Sequence, residues 1–273
     1  MDIIDEKNID QKWTFKRVIM LIGLILIIAG LILFFLNAHF GNNEGNYTVK
    51  SSKEYSIIEA SGVAIDSMGN VYCLSNYWSA VNVYSSNGDF LYSISVPQNQ
   101  NGRNEMFIKN DFLFLVDKNH VIYYYADGEF RGKAEPDEGG ISVYDENDDL
   151  LYIAPYPDDE EICAPLYVDG DTLYAESSNY ILEYKNGVLV SEEPEDENNP
   201  IYVYAENSAQ DNDGNVYNIT GLIPKLVKTS VDNEKTIIAA DSFIEWVTHQ
   251  SFVCLFITII GILVTTLFSR LKG

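Results

Sequence analysis

Three histidines occur in the chain, His39, His120 and His249, and two of them lie beside long apolar runs. That leaves His120 as the imidazole in the polar middle of the chain that could serve as a general base near neutral pH. No carboxylate or hydroxyl at a recognisable spacing partners it, and a strand histidine satisfied by its neighbours is the competing reading. Asp211-Asn212-Asp213-Gly214-Asn215 has the composition of a calcium loop. An EF-hand, however, places its Gly sixth and a bidentate Glu twelfth. Here Gly214 is fourth and the twelfth residue is Leu222, just before Ile223-Pro224, so the stretch reads as a turn between strands, where Asp and Gly meet the backbone demands. The acidic runs Asp145–Asp149, Asp158–Glu161 and Glu192–Glu197 read as solvated loops. Tyr77-Trp78 falls at an expected hairpin tip. Aromatic side chains there can anchor a sugar, a peptide or a protein, and packing between neighbouring structural units is the alternative. These two are the candidate ligand-binding residues. No G-x-S-x-G elbow, Walker loop or H-E-x-x-H is present, so no catalytic residue, metal or cofactor is assigned. Cys73 and Cys163 are the cysteines that could pair, and two buried thiols fit the sequence equally well.

The residues that must hold these groups are β-forming. From Gly62 to Val96 the chain alternates Val, Tyr, Ile and Leu with polar residues, broken by Ser-Met-Gly-Asn and Ser-Asn-Gly-Asp, which predicts antiparallel strands joined by tight turns. Ala64-Ile65-Asp66-Ser67-Met68-Gly69-Asn70-Val71-Tyr72 returns, 145 residues later, as Ala209-Gln210-Asp211-Asn212-Asp213-Gly214-Asn215-Val216-Tyr217. Weaker copies lie between: Phe112–Val116 followed by Val121–Tyr124 and the Asp127-Gly128 turn, and Thr172–Ala175 followed by Tyr180–Tyr184 and the Asn186-Gly187 turn. A degenerate unit spans Ile141–Ala154. The steps Tyr72–Phe114–Tyr174–Tyr217 are 42, 60 and 43 residues, and a repeat near 40 residues of short strands is the period of a propeller blade.

The pattern D-x-x-G-N-[VI]-Y, then a hairpin, then V-x-V-[YF]-x-x-x-G-x-x-L, resembles the blade repeat of NHL-type propellers and their streptogramin-lyase-like relatives. Asp66, Gly69, Asn70, Val71, Tyr72, Val81, Val83, Tyr84, Gly88 and Leu91 carry the match, and Asp211, Gly214, Asn215, Val216 and Tyr217 repeat its first half. The resemblance implies an all-β propeller-like domain of about four to six short blades. It also implies that a lyase of this type would use His120 as its base.

Val18 to Leu36 runs 19 residues without a charge, and Val253 to Leu267 is likewise uncharged. These stretches are expected to be two transmembrane helices, 18–36 and 241–269, flanked by cytoplasmic tails 1–17 and 270–273. Between them lie a linker, 37–54, and the β-domain, 55–240, read as extracytoplasmic because Lys12, Lys16, Arg17, Arg270 and Lys272 cluster at the termini. Gly23, Gly261 and Thr265 are small residues that would let the two helices pack closely. Residues 37–246 hold 37 acidic against 11 basic side chains, within a net charge of −24 for the chain. A field of that sign excludes nucleic acid as a partner. The expected function is therefore a plasma-membrane binding or scaffold protein, in contact with the lipid bilayer and with a protein partner. The alternatives are a surface lyase or hydrolase and an accessory subunit of a transport complex.

Overall fold

The computed structural model describes residues 17–32, 50–76, 79–95, 105–157, 163–177, 180–194, 202–243, 246 and 251–270. The chain separates into two units, Glu44–Asp241 and the combined terminal segments Met1–Asn43 and Ser242–Gly273.

In the terminal unit, helix α1 covers 17–32 and α2 covers Ser251–Arg270. The small residues do what their size allows. A Cβ at Gly23 would collide with the Thr265 hydroxyl, and one at Gly261 would lie 2.7 Å from the Gly23 carbonyl oxygen. The helices touch where neither has a side chain in the way. The expectation of transmembrane spans is corrected here, because among the described residues no helix is long and apolar enough to cross a membrane. The two-pass plasma-membrane location and the bilayer partner, both inferred from those spans, fall with them.

The larger unit is built from four antiparallel sheets, and each expected copy of the repeat supplies one. Sheet A holds β1 (Lys50–Ser51), β2 (Ala60–Ile65), β3 (Val71–Ser75), β4 (Ala80–Tyr84) and β5 (Phe90–Ser95), in the order β1-β5-β4-β3-β2. Sheet B runs β6 (Glu105–Lys109), β7 (Phe112–Val116), β8 (Ile122–Ala126), β9 (Glu129–Asp137), β10 (Gly140–Asp145) and β11 (Leu150–Pro155). Sheet C runs β12 (Ala164–Asp169), β13 (Thr172–Glu176), β14 (Tyr180–Lys185) and β15 (Val188–Pro194). Sheet D runs β16 (Ser208–Gln210), β17 (Val216–Thr220), β18 (Lys225–Thr229) and β19 (Lys235–Ala240). Tyr72, Phe114, Tyr174 and Tyr217 fall on β3, β7, β13 and β17, the second strand of each repeat once the added β1 is set aside. The degenerate unit 141–154 forms no sheet of its own. It is the hairpin β10–β11, added to the outside of sheet B: the nine-residue β9 pairs with β8 through Glu129–Ala134 and, on its opposite edge, with β10 through Gly132–Asp137.

Among the described residues the buried hydrophobic side chains fall into three clusters, one per junction. Sheets A and D share Ile57, Val63, Val71, Cys73, Tyr84, Tyr217 and Leu226. Sheets A and B share Tyr72, Leu74, Val81, Met106, Leu115 and Tyr125. Sheets B and C share Phe107, Phe114, Ile141, Cys163, Tyr167, Leu173 and Tyr184. The sheets therefore stand in the order D–A–B–C, the radial arrangement of a β-propeller-like fold. The stretch 202–207, between sheets C and D in sequence, crosses the first strands. The N–H of Ala205 donates to the Met106 carbonyl (2.7 Å), Val63 donates to Glu206 (2.7 Å) and Ile219 to Asn207 (2.9 Å). Tyr202 stacks on Phe107 with centroids 4.3 Å apart. Backbone groups at the inner sheet edges that would otherwise be buried without partners are met this way.

Glycine turns set the spacing between sheets. A Cβ at Gly88, in the β4–β5 turn, would meet Ile238 of β19 at 2.8 Å; at Gly128, in the β8–β9 turn, it would meet Tyr92 of β5 at 2.6 Å; at Gly187, in the β14–β15 turn, it would meet the Ile153 carbonyl of β11 at 2.6 Å. In each case the turn between the third and fourth strands of one repeat rests on an outer strand of the neighbouring sheet. Gly170 has a similar left-handed backbone, φ +61°, but open space around it. Gly170→Ala should therefore lose only the conformational cost, about 1–2 kcal/mol. Gly187→Ala should lose that and overpack the junction of sheets B and C as well, for a total of about 2–4 kcal/mol. Urea midpoints of the two variants, measured side by side, decide the point, and equal losses would remove the contact as a determinant of spacing.

Candidate functional site

The chemistry-bearing residues are best understood from one recurring loop. Asp66 Oδ1 accepts the N–H groups of Met68 (3.0 Å) and Asn70 (2.8 Å), and its Oδ2 accepts the Asn70 side-chain amide (2.8 Å) and the Tyr72 hydroxyl (3.3 Å). Asp211 repeats the arrangement with Asp213, Asn215 and Tyr217 at the same four distances. Burial pushes the Asp211 carboxyl upward, but the donations from Asn215, Asp213 and Tyr217 outweigh it and hold it below the usual carboxylate range. With four donors on two oxygens, neither aspartate is left to bind a metal or move a proton. They are struts of the loop.

The same loop recurs where the sequence pattern is lost. Asp117 accepts the N–H groups of Asn119 (2.8 Å) and Val121 (3.0 Å), and Asp145 those of Asn147 (2.8 Å) and Asp149 (3.0 Å). Ser85 and Ser230 hydroxyls take the N–H of Asp89 and Glu234, each at 3.1 Å. The fourth residue of every such loop has positive φ: Gly69, Gly88, His120, Asp148, Gly214 and Asn233. His120 is thus a turn residue at φ +61°, in the position that glycine holds in three of the others. Its N–H donates to the Asp117 carbonyl (3.0 Å), and its exposed imidazole has no hydrogen-bond partner among the described residues. The reading of His120 as a strand residue is corrected. As a general base it lacks a group to orient it.

The twin loops face each other across a cleft of about 360 Å³, closed by Ser86, Asn87 and Lys228. Lys228 Nζ donates to the Ser86 carbonyl (3.1 Å) and lies 5.4 Å from the centre of the Tyr217 ring, tying sheet D to the β4–β5 turn. No group of three His, Cys, Asp or Glu side chains converges to hold a metal ion among the described residues. Cys73 and Cys163 are both buried, in separate core clusters, and burial pushes the Cys73 thiol up to about 12. Tyr77 and Trp78 lie outside the described residues, as do Asp158–Glu161.

What the described surface does offer is apolar. On β11, Leu150, Leu151 and Ile153 are exposed by 52%, 55% and 50%; on β15, Val188 and Val190 are exposed by 64% and 54%. These are outermost strands of adjacent sheets, brought together by the Gly187 turn against Tyr152 and Ile153. Acidic side chains border them: Asp148 and Asp149 before β11, and Glu192 and Glu193 at the end of β15. Sequence reading missed this surface because an apolar strand reads the same whether its neighbour is present or absent. The sheet order places both as outermost strands among the described residues.

Two measurements test the roles assigned above. In Asp211→Asn the loss of hydrogen bonds to a charged acceptor should lower stability by about 1–2 kcal/mol at pH 7. A depressed folded-state pKa stabilises above the unfolded value of ~3.9 and ceases to as pH falls through the folded one, so the gap between wild type and variant should narrow at pH 3. A gap unchanged with pH would remove the charge from the account. In a Cys254→Ser background, Cys73 and Cys163 should resist a maleimide in the native protein and react fully in urea. Fast native labelling would contradict their burial.

Comparison with known protein families and with curated proteins finds no match. Solved structures do match. BamB from Moraxella catarrhalis is 14% identical, over 67% of this chain and 73% of its own, with a TM-score of 0.30. A protein of unknown function from Bacteroides caccae is 11% identical over 67% and 81%, with a TM-score of 0.32. A streptogramin B lyase is 13% identical over 70% and 72%, with a TM-score of 0.35. The propeller-like character of the chain rests on its own four sheets.

Proposed function

We propose that the acidic β-unit is a protein-recognition module, a divergent NHL-type propeller that binds a partner and catalyses nothing itself. The observation that carries this is the pairing of exposed apolar side chains on β11 and β15 with a strongly acidic frame. Contiguous exposed apolar surface on a soluble face marks a contact site, while the surrounding carboxylates select for a basic partner and repel nucleic acid and further copies of the chain. The strut role of Asp66 and Asp211 supports the same reading, because it assigns the most conspicuous acidic motifs to the scaffold. Tyr77 and Trp78 supply a second contact, at the tip between β3 and β4.

A photo-crosslinking phenylalanine placed at Tyr77 or Leu151 in the full chain, expressed in its source cell, should give a discrete adduct at each position and none at the exposed Asn212. Trp78→Ala should weaken capture at Tyr77 about thirtyfold, the effect of losing an aromatic anchor worth ~2 kcal/mol. Absence of a discrete adduct at both positions would overturn the binding function.

A further inference from the structure

Counting four strands to a repeat, the fourth strand is covered in sheets A and B, while in sheets C and D (β15 and β19) it pairs on one side only among the described residues. Sheet A covers its edge with β1: Lys50 pairs with Ile94 and Ser51 with Ser93, antiparallel. The Lys50 ammonium then donates to the Asp127 carbonyl (2.6 Å) and sits 4.2 Å over the Tyr92 ring. Sheet B covers the edge of β9 with the β10–β11 hairpin. Sheet C ends at β15, which pairs only with β14 among the described residues. From Val188 to Pro194 no residue of β15 is buried. An uncovered edge is a row of unpaired backbone donors and acceptors, a template for another strand.

We propose that β15 is completed by an extended segment of a partner protein, added as an antiparallel strand and carrying lysines alternating with apolar residues. This rests on the protein-recognition reading above and specifies how the partner is held. The protein's own β1 shows that an outer edge of this fold accepts a short added strand with a lysine in it. Charge selects the occupant. Glu192 and Glu193 are exposed on β15, and Lys185, the cation at the start of the hairpin, is already engaged with Asp171 (3.7 Å). A second copy of the chain would bring its own β15 carboxylates against these, within a body that is already acidic. Backbone pairing supplies affinity in this mode, while Val188, Val190 and the two glutamates set the sequence preference.

The probe is the peptide acetyl-Lys-Val-Lys-Val-Lys-Val-amide, added to the full-length protein. Its control has each valine replaced by proline, which keeps the charge and removes those backbone donors. The valine peptide should bind at least tenfold more tightly than the control and slow amide exchange along Val188–Glu193 only. Glu192→Lys with Glu193→Lys should lose at least tenfold in affinity, with exchange in β13 unchanged as the check on folding. Equal binding of the two peptides would reduce the effect to charge and overturn the proposal, as would protection elsewhere or nowhere. Protection of β15 that rises with protein concentration in the absence of peptide would assign the edge to a second copy. Protection already complete in the dilute free protein would assign it to the chain itself. If the peptide fails while crosslinking at Tyr77 persists, the edge proposal falls alone. If both fail, the recognition function falls with it.

Discussion

One carboxylate saturated by its own hairpin loop is the interaction on which the sheets depend. A five-residue connection leaves several N–H groups with no strand to pair with, and an aspartate at its first position collects two of them, while positive φ at the fourth lets the chain reverse. Asp66 and Asp211 add a side-chain amide and a tyrosine hydroxyl to the same two oxygens. The tyrosine is on the next strand, so the strut also fixes where that strand begins. Since Tyr72 and Tyr217 are themselves buried in junctions between sheets, the loop geometry is transmitted into the core.

A second constraint acts between sheets. Radially placed sheets diverge outward, and the gap must be filled near the periphery by something that fits. Here the filler is a tight turn whose glycine comes up against an outer strand of the next sheet. Repeating the device at Gly88, Gly128 and Gly187 gives three similar junctions from three different sequences. At the inner side the filler is the stretch 202–207, which bonds to first strands of sheets A and B and so links parts of the chain far apart in sequence.

These devices account for most of the polar chemistry in the domain. The acidic motifs, the turn histidine and the buried thiols all serve architecture. What remains available is strand edge, exposed valine and leucine, and negative charge. Surfaces of that kind recognise other polypeptides: edge backbone offers geometry, apolar side chains offer burial, and the carboxylates choose among candidates by sign.

Sequence alone determined the strands, the twin turns 145 residues apart and the four repeated units. Period-two alternation and Asn-Gly or Asp-Gly turns are local signals, set by backbone sterics within a few residues. The struts at Asp117 and Asp145 were not legible, because the loop needs an acceptor first and a left-handed residue fourth, and His120 and Asp148 fill the latter without resembling Gly. Apolar runs near the ends read as membrane spans from composition alone, and among the described residues no helix is long and apolar enough to cross a membrane. Only the tertiary structure decided that 141–154 would extend sheet B and that β15 would be left as an edge. Both depend on which strands become neighbours, and a strand pattern is the same whether its partner is present or missing.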